Sequence, residues 1–319
     1  MLTLLSSLVA VVAAVSLLMT RLRLDDQIFI VWACFGGYLA ALSLPGLVLG
    51  LLAPNWPATV ANALVAGLAA ACVLPRYRPD RSRVTGPVTE ARTTIRVLQV
   101  NVLLGGADMD RLAGTVRTEN VDVLLVEELT EAAVAGLRAA GLEEHLGYHV
   151  LAPHSGGSGT GLWSRYPVRN GQRQPGFIFA NVKAELLPPH GAAPIEVWAV
   201  HLSPPWPFPA HVWVDEIQHL ARILATDASA VRPTIVGGDF NATPANARFR
   251  DLLREARLRD VGASAVRGRI STFPAHKLMP ILCLDHVLVR GVAAARTRRV
   301  DLPGSDHLGV LAEITLADR

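Results

Sequence analysis

Lysine is almost missing from this chain: Lys183 and Lys277 are its only lysines in 319 residues. The other basic residues are arginines, the net charge is only +3, and there is no long basic run. A protein that tracks a nucleic-acid backbone carries a basic stripe, so nucleic acid is not an expected partner. Cysteine is scarce as well. Cys34, Cys72 and Cys283 are too few and too scattered for a disulfide framework or a zinc pattern. Charged residues make up 18% of the chain against 51% hydrophobic ones. That balance excludes an ordinary soluble protein along the whole length.

The shortage of charge is local. Residues 1–75 carry almost none outside Arg21 to Asp26. Leu2 to Thr20, Ile28 to Ala53 and Ala58 to Leu74 are apolar stretches, each near the roughly 20 residues that cross a bilayer. They predict a membrane anchor of about three transmembrane helices in residues 1–75. Pro45 is placed to kink the second, and the third is the shortest. Buried helices of a soluble protein and a two-helix hairpin are the alternatives. A cleaved signal peptide would be followed by polar chain, whereas here more apolar segments follow. Residues 76–93 contain Pro79, Gly86 and Pro87 and read as a linker. Residues 94–319 have ordinary globular composition and suffice for one large domain.

Within that domain the pattern is mixed α/β. Thr94 to Asn101 reads as a strand. Asp108 is placed to cap a helix running to Glu119, and Val121 to Val126 reads as a buried strand ending in Glu127-Glu128. Thr130 caps a further helix that stops at Gly141. Residues 155–161 form a glycine-rich loop before a short strand to Ser164. Strands are expected at 177–186, 195–201, 285–290 and 308–315, and helices near 211–228 and 245–257. No internal repeat is evident.

The most informative stretch is Ile235-Val236-Gly237-Gly238-Asp239-Phe240-Asn241-Ala242-Thr243-Pro244. An apolar strand runs into two glycines, which permit a close backbone approach. Asp239 and Asn241 follow at i and i+2, on one side of an extended chain. Thr243-Pro244 reads as the start of a helix, with proline in its first turn. The plain alternative is a turn closed by Asx side chains. Polar groups also end other apolar strands: Asn101, Glu128, His201, Asp285 and the pair Asp306-His307. Each alone has a structural explanation, such as a turn cap or a hydrogen-bonded core histidine. Together they suit phosphate chemistry. Hard carboxylates bind Mg²⁺ or Mn²⁺, and a histidine beside acids does general acid/base work.

These motifs recur in one family's order: QVN at 99–101, DVLLVEE at 122–128, GTGLWSRYPV at 159–168, VHL at 200–202, GGDFNATP at 237–244, LDHVL at 284–288 and GSDHLGV at 304–310. The chain therefore resembles the endonuclease/exonuclease/phosphatase superfamily. With its apolar front end it is similar to the membrane-anchored branch of VanJ-type glycopeptide-resistance proteins. The resemblance implies a four-layer α/β sandwich of two β-sheets flanked by helices. It implies a catalytic domain over residues 94–319 and a Mg²⁺ (or Mn²⁺) cofactor. Glu128 is then the principal metal ligand, with Asn101 beside it and Asp306 in support. Asp239 orients or deprotonates the attacking water, and Asn241 holds a phosphate oxygen. His307, oriented by Asp285, contacts the phosphate or acts as acid/base, and His201 is the second histidine. Three positions depart from the pattern. Glu127 stands where many members have Gln, Cys283 where Arg is common, and Val200 where Thr is frequent. The missing Arg weakens the case for a nucleic acid or another highly anionic substrate.

After His201 comes an apolar loop, Ser203 to Trp213, with four prolines and the rings Trp206, Phe208 and Trp213. Trp206 and Phe208 are candidate substrate-binding residues for an acyl or prenyl chain. The alternative is that the rings pack under the next helix, and Trp213 is assigned there. The expected function is a membrane-anchored, divalent-metal-dependent phosphoesterase on a lipid-linked phosphate or pyrophosphate, such as a polyprenyl pyrophosphate or a phospholipid. The expected partners are the bilayer and that lipid. A membrane-tethered nuclease is the alternative enzyme, and a scaffold with a decayed site is the alternative outside enzymes.

The expected location is the cell membrane, by a multi-pass anchor, and two arguments about its side disagree. With three spans, Arg21 and Arg23 share a side with Arg76, Arg78, Arg81 and Arg83, which places the large domain in the cytoplasm. The VanJ-type resemblance places it outside, and that side is the one adopted. With Cys283 replaced and a single cysteine placed between Arg78 and Gly86, intact cells should be labelled by an impermeant maleimide. Labelling only after lysis would return the domain to the cytoplasm.

Overall fold

A computed structural model describes all residues except 54, 74–92, 190–191, 227–231, 263–269, 277–278 and 317–319. The expected linker thus lies almost wholly outside the described residues.

The chain opens with four apolar helices: α1 (Leu2–Met19), α2 (Gln27–Ala41), α3 (Ser43–Leu52) and α4 (Trp56–Val73). The second apolar stretch breaks at Leu42. Pro45 explains the break, because its ring clashes with the carbonyl four residues earlier and it offers no N–H. Two segments, Leu2–Met19 and Gln27–Leu52, are long and apolar enough to cross a bilayer. The third, Trp56–Ala71, is apolar but shorter, so the expectation of about three spans is met only in part. The bundle is packed inside out. Its interior is built from small or polar residues such as Ser6, Ala10, Ala13, Ser16 and Asn62, all buried. Large apolar side chains such as Leu4, Leu8, Leu51, Leu64 and Leu68 point outward.

The remainder is built on two six-stranded sheets. The first contains β1 (Thr94–Asn101), β2 (Val123–Glu127), β3 (Tyr148–Ala152), β4 (Thr160–Ser164), β11 (Val292–Val300) and β12 (Gly309–Leu316), in the order β11-β12-β1-β2-β4-β3. The second contains β5 (Val168–Arg173), β6 (Val182–Leu186), β7 (Ile195–His201), β8 (Thr234–Asp239), β9 (Arg259–Asp260) and β10 (Asp285–Arg290), in the order β5-β6-β7-β8-β10-β9. The sheets are mixed: β1 pairs parallel with β2 and β7 parallel with β8, while the other pairs are antiparallel. Three core layers follow from the period-two alternation of the strands. Val97, Leu125, Val197, Ile235 and Val287 face one another between the sheets. Helices α5 (Met109–Thr118), α6 (Glu131–Ala139) and the one-turn α7 (Leu142–His145) cover the outer face of the first sheet through Leu112, Leu137 and Leu142. Helices α8 (Ala210–Thr226) and α9 (Ala247–Glu255) cover the second through Trp213, Ile217 and Phe249. This is two mixed β-sheets flanked by helices, consistent with the expected α/β sandwich.

The caps behave as expected: Asp108 accepts from Arg111 N and Thr130 from Ala133 N. Some expectations need correction. The strand expected over 177–186 is only Val182–Leu186. Strands β3, β5 and β11 had no sequence expectation; β5 is largely exposed and lacks an alternating apolar pattern. Thr243-Pro244 does not start a helix, since α9 begins at Ala247. The reason is Asn246, whose Oδ1 accepts from Thr243 N at 2.8 Å and Thr243 Oγ1 at 2.9 Å. That closes a separate turn around Pro244.

The helical bundle is docked on the sandwich. Ile30 belongs to the same core cluster as Trp213 and Phe249. Asn246 Nδ2 donates to Ile30 O at 3.0 Å, Gln27 Nε2 to Pro205 O at 2.7 Å, and Tyr38 Oη to Ile281 O at 2.6 Å. Arg23 pairs with Asp251 and Arg248 with Asp25, each at 2.6 Å. Asn246 had no expected role; it joins the local turn at Thr243 to Ile30 on the distant α2.

Candidate active site

Strand register sets the site. In the second sheet Asp239 lies opposite His201 on β7 and opposite Asp285 on β10. In the first sheet Asn101 lies opposite Glu127. The strand ends of both sheets therefore present their polar groups at one edge. Gly237 and Gly238 allow the close fit there. A Cβ on Gly237 would lie 2.4 Å from Leu125 Cδ1 across the sandwich, and one on Gly238 would lie 1.8 Å from Val200 O.

Two amides on β1 join the sheets. Gln99 and Asn101 sit at i and i+2, on one face of the strand. Gln99 Nε2 donates to Glu127 Oε2 at 2.7 Å and to Asp285 Oδ1 at 2.9 Å. Asn101 Nδ2 donates to Glu128 Oε1 at 3.1 Å and to Asp239 Oδ2 at 3.2 Å. Glu128 follows β2 with a left-handed backbone (φ 58°), which turns it out of the strand alternation. Its Oε2 accepts from Leu104 N at 2.7 Å. Asp239 Oδ1 accepts from Asn241 N at 2.8 Å, so the Asx turn is real. Asp239 and Asn241 nevertheless both line the cleft. The turn and the polar presentation are one structure rather than alternatives. Asn241 Nδ2 is spent on Leu202 O at 2.9 Å.

The cleft has a volume of about 140 Å³ and is lined by Leu104, Glu128, Phe179, His201, Asp239, Asn241 and His307, among others. Its histidines differ. His307 Nδ1 lies 2.8 Å from Asp285 Oδ2, and Thr272 Oγ1 donates to the same oxygen at 2.5 Å. Burial alone would lower the His307 pKa, but Asp285, Asp239 and Asp306 outweigh it and raise it to about 10. For Asp285 burial acts upward, and His307 with the Thr272 and Gln99 hydrogen bonds brings the net shift down. His201 is lowered: burial dominates over the attraction of Asp239. Asp239 is raised, by burial first and then by Asp285. Its Oδ2 lies 3.8 Å from His307 Nε2 and 4.0 Å from His201 Nε2. A proton acceptor of raised basicity thus stands between a charged and a neutral imidazole, an arrangement fit for moving a proton from water.

A metal ion fits this donor set. Ligand-capable atoms of Asp239, Asp285 and His307 all lie within 4.8 Å of one another, and with His307 charged against Asp285 the carboxylates are the groups that would bind a cation. Glu127, Glu128, Asp239 and Asp285 crowd one edge, and no Lys or Arg is among the cleft's described lining residues. Buried acids in such number call for a cation. The expected site residues thus fall together, with two differences of weight. Asp306 is half-buried and makes its recorded bond through its carbonyl, to Ala275 N at 2.7 Å. Phe208 packs edge-on against Phe179 (5.6 Å), which lies on His201 (4.7 Å), while Trp206 is 70% exposed. Trp213 is buried and donates to Phe240 O at 3.0 Å, as assigned. Gln99, Thr272 and Asn181 are contributors that had no assigned role. Only Gln99 had a sequence signal, as a polar residue inside the QVN motif. Asn181 clamps the His201 backbone, accepting its N–H at 2.8 Å. His286, beside Asp285, is structural: it lies between Asp260 Oδ2 and Ala242 O, both at 2.9 Å.

Fold and site together define an α/β sandwich with an acid- and histidine-lined cleft at one edge of its paired sheets. The sequence profile of the endonuclease/exonuclease/phosphatase family matches residues 98–307, and the chain belongs to that family. Its members are typically metal-dependent phosphoester hydrolases. Among solved structures it is similar to sphingomyelinase C from Streptomyces griseocarneus, with 18% identity, TM-score 0.55, and 69% of this chain and 99% of that one covered. It is similar to an endonuclease/exonuclease/phosphatase family protein from Leptotrichia buccalis, with 18% identity, TM-score 0.55, and coverage of 70% and 100%. It is also similar to truncated TDP2 from Caenorhabditis elegans, with 15% identity, TM-score 0.52, and coverage of 70% and 98%. These likenesses show the fold. A search of curated protein sequences finds no match.

Two predictions follow from the geometry. Asp239→Asn and His307→Ala should each lower phosphodiester hydrolysis at least about 10²-fold. The exposed Asp110→Asn is the control, and equal rates for Asp239→Asn and the control would reduce the GGDFN stretch to a turn. The other concerns Glu127, which is fully buried. Its Oε1 and Gln99 Oε1 both lack partners among the described residues. Burial, with Asp285 and Asp239, holds its carboxyl well above the usual 4.5. An acid raised on folding is penalised as pH rises past its unfolded value, because the folded state must keep or bury what water would ionise. Glu127→Gln in EDTA should therefore raise Tm by about 2–6 °C at neutral pH. The gain should shrink toward pH 4.5. A gain independent of pH would reject this explanation.

Proposed function

We propose that this protein is a membrane-anchored, divalent-metal-dependent phosphoesterase acting on a lipid-linked phosphate or pyrophosphate. One observation carries the reading: an inside-out helical bundle is docked beside a cleft furnished for phosphate hydrolysis. Leucines facing outward and serines facing inward suit lipid as solvent, not water. The VanJ-type resemblance points to the same branch and is the reason for placing the domain outside the cell, against the arginine count. A cleft with no Lys or Arg among its described lining residues favours a compact phosphate headgroup over a nucleic-acid strand.

In this reading Glu128 and Asn101 would hold the cation, with Asp306 in support. Mg²⁺ or Mn²⁺ would polarise a phosphoryl oxygen and neutralise charge that develops on it. Asp239 takes a proton from the attacking water as the new O–P bond forms. Asn241 steadies a phosphoryl oxygen. His307 is held as a cation by Asp285 and faces the anionic phosphate. The leaving oxygen departs with the electrons of the broken P–O bond. The neutral His201 sits at the same phosphate. Trp206 and Phe208 form the apolar lip for the lipid chain.

The reading is tested on purified full-length protein with polyprenyl pyrophosphate, phospholipid and plasmid DNA. Lipid phosphate should be cleaved, EDTA should abolish the activity, and Glu128→Gln should remove most of it while the fold is kept. Trp206→Ala with Phe208→Ala should slow a long-chain lipid phosphate more than a short soluble phosphoester. DNA cleavage without lipid cleavage would favour the nuclease, and activity surviving EDTA would remove the metal assignment.

A further inference from the structure

The segment that carries Met279, Pro280 and Ile281 joins the catalytic dyad to the anchor. At its base, Thr272 bonds Asp285, and the Phe273 ring lies 4.9 Å from the His307 ring. Phe273 and Leu282 pair their backbones, with Leu282 N donating to Phe273 O at 2.9 Å. At its tip, Met279 is 73% and Ile281 43% exposed. The carbonyl of Ile281 accepts from Tyr38 Oη.

The depth of that contact along the bundle can be read from helix packing. A Cβ on Gly36 would lie 2.3 Å from Thr20 Cγ2 and 3.0 Å from Ser16 O. Trp32 Nε1 donates to Ser16 Oγ at 3.0 Å. Gly36 is thus level with the last turn of α1. Tyr38 lies further along α2, inside the length over which both helices are apolar. The polar turn, by contrast, meets α9 through Arg23–Asp251 and Arg248–Asp25. Gln27, which holds the Trp206 loop, lies about 14 Å before Gly36 along α2 at 1.5 Å rise per residue. Of the described contacts made to α2 from around the cleft, at Gln27, Ile30, Cys34 and Tyr38, the one from the 279–281 tip lies furthest along the helix. Tyrosine at that level matches the aromatic preference of a bilayer interface.

We propose that Met279 and Ile281 insert into the lipid interface of the membrane that holds the anchor. This surface rests on the membrane-anchor reading and commits to one occupant, a lipid leaflet. Its support is continuity: α2, the anchor helix itself, fixes the tip at the depth of its own apolar face. The consequence is directional. The lip clamped on Asp285 and His307 meets the same leaflet, and a substrate phosphate is taken from that leaflet in cis.

The test uses full-length protein with Cys34→Ala, Cys72→Ala and Cys283→Ala. An NBD fluorophore is attached through Met279→Cys, or through Thr118→Cys on the last turn of α5 as control. The protein is reconstituted in phosphatidylcholine–phosphatidylglycerol vesicles. The probe at 279 should be blue-shifted, quenched by a spin label at carbon 5 of the acyl chain, and shielded from iodide. The probe at 118 should show the reverse. Iodide quenching at 279 equal to that at 118 overturns the proposal. In a second arm, Met279→Asp with Ile281→Asp should slow hydrolysis of a vesicle-borne lipid phosphate about tenfold and leave bis-p-nitrophenyl phosphate unaffected. An unchanged ratio of the two rates also overturns it. The quenching arm reads no hydrolysis, so absence of any lipid phosphatase activity would sink the proposed function and leave this result standing.

Discussion

Two side-chain amides hold the chemistry of this protein together. Gln99 and Asn101 leave the same face of one strand, and each divides its amide between a carboxylate of its own sheet and one of the other sheet. An amide NH₂ has two donors, and here both are used. The sandwich core brings the sheets face to face. The amides fix how their edges meet and hold four acids together, with His307 beside Asp285 and Asp239.

That concentration of acid explains the rest of the electrostatics. Buried carboxylates repel and lose hydration, so their protons are redistributed. Asp285 stays ionised because His307, Thr272 and Gln99 serve it. Asp239, with fewer partners, is pushed toward higher basicity, and Glu127 further still. One cluster thus contains a carboxyl lowered by its partners, one raised, and one raised further. The divergence comes from unequal hydrogen bonding among chemically similar groups. A divalent ion at Glu128 would add the charge the cluster lacks, which is the role the family's metal plays.

The apolar bundle also supports the cleft. Asn246 closes the turn after the GGDFNATP stretch with its carbonyl oxygen and grips α2 with its amide nitrogen. Gln27 holds the carbonyls of Pro205 and Phe208, and Phe208 rests on Phe179, which rests on His201. A rigid chain of contacts therefore runs from the apolar helix to two sides of the cleft.

The sequence alone determined the elements with strong local signals. The Asp108 and Thr130 caps, the break before Pro45, the β-branched central strands and the polar residues at their ends were all legible, because each depends on neighbours a few positions away. Seven ordered motifs carried the family and named the site. Exposed β5 escaped, since nothing in its pattern distinguishes an edge strand from loop. The start of α9 was misplaced because Asn246 closes a turn on Thr243 with its oxygen while its nitrogen is held by Ile30, more than half the chain away. Tertiary structure alone decided which amide serves which acid, why two histidines of equal intrinsic pKa shift in opposite directions, and that the apolar bundle abuts the cleft. Those properties arise from distances between groups remote in sequence, and from burial, which no residue carries by itself.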